Sequence, residues 1–143
     1  MERDSKPSLR KVRLLGIIVL IYTIVLPLIV LLIPEDEFPA STGPIEAFSW
    51  LMILLMPVEI LLLYIIYRHF GRKSDLDNIM SPAILMYTFA VIPSIYAFVI
   101  GFIGSTLRSF AIPLGFTISL IGFGLATMFI SKLWEKIQVS DDY

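Results

Sequence analysis

Apolar residues fill four long stretches of this sequence, and polar residues collect between them. The first stretch runs over 14–33 and the second over 47–67, the latter interrupted by one charge, Glu59. Between Asp77 and Lys132 the only charged residue is Arg108, which leaves room for two more stretches, over 82–101 and 110–131, joined by a turn. A helix rises about 1.5 Å per residue, so about 20 apolar residues cross a hydrocarbon core of about 30 Å. The pattern predicts an all-α, polytopic membrane protein: a four-transmembrane-helix bundle forming one domain over 11–136, with polar tails at 1–10 and 137–143.

Local signals bear on the edges of these spans. Ser81 before Pro82 offers a capping hydroxyl ahead of a proline in the first turn, and Ser109 is expected to cap the fourth span with Pro113 close behind. The segment 34–46 carries Pro34, Pro39 and Pro44 and is expected to be extended and stiff. Trp50, Tyr64, Tyr67 and Trp134 stand where interfacial aromatic belts would lie. The first stretch ends in Pro34-Glu35-Asp36-Glu37 with no small-residue cleavage pattern, so it reads as a retained span rather than a secretory signal.

Composition agrees with a membrane location: 57% of residues are hydrophobic and the mean hydropathy is +0.87, well outside soluble averages. A net charge of −1 conceals strong segregation. Arg3, Lys6, Arg10, Lys11 and Arg13 precede the first span; Glu35, Asp36, Glu37 and Glu46 follow it; Arg68, Arg72 and Lys73 follow the second; Arg108 follows the third; Lys132 and Lys136 follow the fourth. Basic residues in short loops stay on the cytoplasmic side, so both termini are expected inside a cell membrane. The total charge suggests no nucleic-acid partner, whereas the basic clusters suit anionic lipids at the cytoplasmic face.

Chemistry is sparse. With no cysteine and one histidine, His69, the chain offers no thiolate, no zinc ligand set and no hydrolytic triad. No phosphate-binding glycine loop is present either, so neither a cofactor nor an enzymatic activity is expected. Glu59 stands out because an ionisable residue at bilayer depth is costly and tends to serve function. Counting along the helices places Tyr22 and Thr23 at its depth. Pro57 denies an intrahelical partner to the Ile53 carbonyl, as Pro27 and Pro93 do for Thr23 and Phe89. Glu59 is therefore expected to face the bundle interior as a neutral acid, bonded to Tyr22, Thr23 or the Ile53 carbonyl. Gly115, Ser119, Gly122 and Ala126 recur at intervals of four, three and four, a stripe suited to close helix packing. That stripe could serve packing within the chain or a homo-oligomer seam.

The third span, Ala90-Val91-Ile92-Pro93-Ser94-Ile95-Tyr96-Ala97-Phe98-Val99-Ile100-Gly101, resembles the ion-carrying helix of rotary ATPase proteolipids, the subunit c family. It is more similar to small uncharacterised four-span membrane proteins whose third helix shows a Glu-Ala-Pro-Ala-Leu-Phe-Gly pattern. The resemblance covers residues 79–131. Val91 stands where that pattern has its acid, so the ion-carrying residue is missing. Two functions remain: a structural or interaction component of a larger membrane assembly, and a proton-, cation- or small-solute-handling protein using Glu59. The first is the expected one.

Overall fold

A computed structural model describes residues 9–34, 42–72 and 78–141. Within them the chain forms four α-helices: α1 (Leu9–Leu31), α2 (Gly43–Gly71), α3 (Met80–Phe102) and α4 (Arg108–Asp141). Each is long and apolar enough to cross a membrane, and helices suit a bilayer because every backbone group is satisfied within the segment. The expected stiff loop and its acidic residues Glu35, Asp36 and Glu37 lie largely outside the described residues, as do Arg3, Lys6 and Lys73.

All four helices begin before their apolar stretches, α1 already at Leu9, and α2 and α4 also end well beyond theirs. α2 begins at Gly43, with Pro44 in its first turn, where a missing N–H costs nothing. α4 continues through Lys132, Glu135 and Lys136 to Asp141, because Phe129, Leu133 and Ile137 keep a buried face at intervals of four. The segment expected as a polar C-terminal tail is thus helical through Asp141. It packs its start into an apolar cluster with Val12, Leu63 and Ile79.

α3 and α4 form the centre of the bundle, each packing against the other three helices, whereas α1 and α2 do not meet. Small residues make this possible. Along the parallel pair α1 and α3, Gly16 lies against the Tyr87 ring, the Thr23 carbonyl against Ser94, and Val30 against Gly101. Contacts seven residues apart on both helices place the seam on one stripe of each. The antiparallel pair α3 and α4 closes over the stripe of small residues: a Cβ on Gly115 would come within 2.6 Å of the Pro93 carbonyl oxygen, and one on Gly122 within 3.3 Å of the Ala90 Cα. Ser119 and Ala126 are completely buried on the same face. The stripe thus packs within the chain.

Polar groups fasten both ends. At the start of α4 the Arg108 guanidinium turns back onto the C-terminus of α1, its Nη2 donating to the carbonyls of Val30 at 2.6 Å and Ile33 at 2.9 Å. A cation there meets carbonyls that the helix leaves over and complements its dipole. Glu46, in the first turn of α2, accepts from Ser105 Oγ at 3.0 Å and from the Thr106 backbone N–H at 2.9 Å. The α3–α4 turn is shaped by Gly104, whose φ of 71° is a left-handed value that suits glycine. The Ser105 N–H returns there to the Ile100 carbonyl, a helix-ending pattern. At the opposite, basic end, Lys136 Nζ donates to the Gly71 carbonyl at the end of α2.

The expected caps differ by a few residues. Asn78 Oδ1, rather than Ser81, accepts the Met80 N–H at 2.8 Å, since α3 starts before Ser81. Ser109 lies inside α4, and Ser105 Oγ instead accepts the Leu107 N–H at 3.2 Å.

Candidate functional site

Two apolar clusters fill the bundle. One, toward the α3–α4 turn, is built on Ile53, Met56, Ala97, Ile100 and Ala111. The other, toward the basic end, includes Leu63, Met86, Ala90 and Ala126. Between them each helix contributes a buried polar residue: Thr23 on α1, Glu59 on α2, Ser94 on α3 and Ser119 on α4.

The proline breaks account for part of this layer. Pro27 leaves the Thr23 carbonyl without its usual donor, and Ser94 Oγ approaches that oxygen at 3.5 Å. Immediately beyond Pro93, the Ser94 backbone N–H donates to Ser119 Oγ at 2.8 Å. Three helices are therefore joined through one serine. The Thr23 hydroxyl is turned onto its own helix, donating to the Val19 carbonyl at 3.0 Å.

Glu59 is buried, at 7% exposure. Its Oε1 accepts a hydrogen bond from Tyr96 Oη at 3.0 Å, while Oε2 is buried without a hydrogen-bond partner. The structure therefore gives Glu59 a partner other than those expected for it. Tyr22 points away from the bundle and is 59% exposed, and Thr23 lies on the α1–α3 seam. Depth along the helix axis brings Tyr22 and Thr23 level with Glu59, but α1 and α2 do not meet, each packing instead on α3 and α4. Pro57 is on the exposed side of α2, so its ring does not line the site.

Tyr96 and Arg108 were both missed as site residues, though the sequence carried a trace of each. Tyr96 lies six residues from the end of α3, about 9 Å along the axis, and two positions beyond Ser94. Arg108 is the lone charge in a long apolar stretch, where an unpaired cation would be expensive.

At the basic end, Tyr64, Arg68, His69 and Arg72 border a shallow groove along α2. Among the described residues no group of three histidine, aspartate or glutamate side chains is placed to hold a metal ion. No family model, curated protein or solved structure matches this chain.

Proposed function

We propose that this protein is a structural or interaction component of a membrane assembly, docking through the outward face of α1. The observation that carries the reading is Tyr22. Threonine hydroxyls exposed within the spans bond their own helix: Thr88 to the Ile84 carbonyl, Thr117 to that of Pro113 and Thr127 to that of Phe123. A tyrosine hydroxyl is held too far from its backbone to do this, and Tyr22 makes no hydrogen bond among the described residues. Tyr22 is nine residues from the end of α1, about 14 Å into the span. Lipid tails offer no acceptor at that depth, and an unmet hydroxyl there is costly.

The partner is a transmembrane helix of another protein that presents an acceptor opposite Tyr22. Around Tyr22 the outward face carries Ile18, Ile21, Val25 and Ile29, bulky side chains that keep two copies of this face apart. The chain's own close-packing stripe is already used against α3. Co-purification in mild detergent tests the reading: a stoichiometric partner held by the wild type should be lost or weakened about tenfold by Tyr22→Phe, which removes one hydroxyl. Equal retention of the partner by that variant would contradict it.

The setting we infer is a cell membrane with both termini cytoplasmic, on the strength of the basic clusters at one end of the bundle. Arg68, His69 and Arg72 would then meet anionic headgroups of the inner leaflet. Cysteines placed at Arg72 and Thr106 should label from opposite sides of intact cells, and labelling of both from outside would refute this orientation.

A further inference from the structure

Only one of the two carboxyl oxygens of Glu59 is hydrogen-bonded. Tyr96 donates to Oε1 at 3.0 Å, and Oε2 is enclosed without a partner. Buried polar atoms in folded proteins are seldom left so, and an exception calls for a physical reason. The helices packed against α2 are α3 and α4. On α3 the titratable groups are Tyr96 and, further toward the basic end, Tyr87, whose hydroxyl lies 3.4 Å from that of Thr127. α4 has no titratable residue between Arg108 and Lys132, and α2 has none besides Glu59 between Glu46 and Tyr64. No cation or second acid of these helices stands at the level of Oε2.

What Oε2 requires depends on whether it carries a proton: with one it is a donor, without one it is an acceptor bearing charge. Tyr96 can remain on Oε1 in both states, since its hydroxyl donates to a carboxylate and to the carbonyl oxygen of a carboxylic acid alike. Tyr96 is only half-buried, and its hydroxyl is the one group of the described residues bonded to the enclosed carboxyl group. We propose that Glu59 is a reversible proton-binding site, with Oε2 as the seat of the proton and Tyr96 as the residue that positions the carboxyl group. On release, the O–H bond of Oε2 breaks, its electron pair stays on the carboxylate, and a water molecule takes the proton. This site is independent of the Tyr22 face and stands or falls separately.

Infrared difference spectroscopy on the full chain in lipid nanodiscs, with isotope-labelled glutamate, isolates Glu59 by subtraction of the Glu59→Gln spectrum. The expected result is a protonated-carboxyl band that converts to carboxylate bands and back as the pH is cycled between about 4 and about 10. Tyr96→Phe should displace the midpoint by about tenfold in proton concentration, because the hydrogen bond it removes is stronger to the charged form than to the neutral acid. A Glu59 band that keeps one form throughout would overturn the proposal, and an unmoved midpoint in Tyr96→Phe would overturn the role of Tyr96. Should Glu59→Gln fail to fold, the wild-type minus Tyr96→Phe spectrum carries the same displaced band and decides the matter.

Discussion

At the scale of single residues, the bundle distinguishes two glycines on the same helix. A Cβ at Gly115 would lie 2.6 Å from the Pro93 carbonyl oxygen, whereas one at Gly124 would meet nothing within 4 Å. Gly115→Ala should therefore cost about 1 to 3 kcal/mol by overpacking. Gly124→Ala should be neutral or stabilising by up to about 1 kcal/mol, because it adds helix propensity without a clash. Thermal unfolding in detergent compares the two, and equal stabilities would show that the α3–α4 contact is looser than described. The small-residue stripe was legible because helical spacing alone puts Gly115, Ser119, Gly122 and Ala126 on one face. The partner of Glu59 was not. Axial depth follows from counting residues, but which helix stands beside α2 is set by packing, and Tyr22 and Tyr96 look alike until the position of α3 is known.

At the scale of elements, helix existence was readable from the apolar runs, and helix ends were not. α4 outlasts its apolar stretch because Leu133 and Ile137 continue its buried face among charged neighbours, so a length count stops too early. Ends are also fixed by side chains remote in sequence. Arg108 holds the last carbonyls of α1 from 75 and 78 residues away. Arg108→Met should loosen that terminus: hydrogen bonds from a charged donor contribute about 1.5 to 3 kcal/mol. Hydrogen exchange at the Leu32 and Ile33 amides, which close the final turn, should accelerate by at least about tenfold, with the amides around Gly16 unchanged. Unaltered exchange at Leu32 and Ile33 would mean that the guanidinium is not what holds the end of α1.

At the scale of the whole molecule, α3 and α4 each touch every other helix while α1 touches only those two, and an apolar face on α1 is turned outward. On the proposed reading, a lone hydroxyl in the middle of that face marks a docking surface rather than an ordinary lipid contact, since lipid tails cannot satisfy it. The most direct test is a photo-crosslinking residue in place of Tyr22, compared with the same residue in place of Leu54 on the exposed side of α2, in native membranes. The account predicts one discrete crosslinked protein from position 22 and only lipid adducts from position 54. Lipid adducts alone from position 22, or a crosslink there to a second copy of this chain, would contradict it.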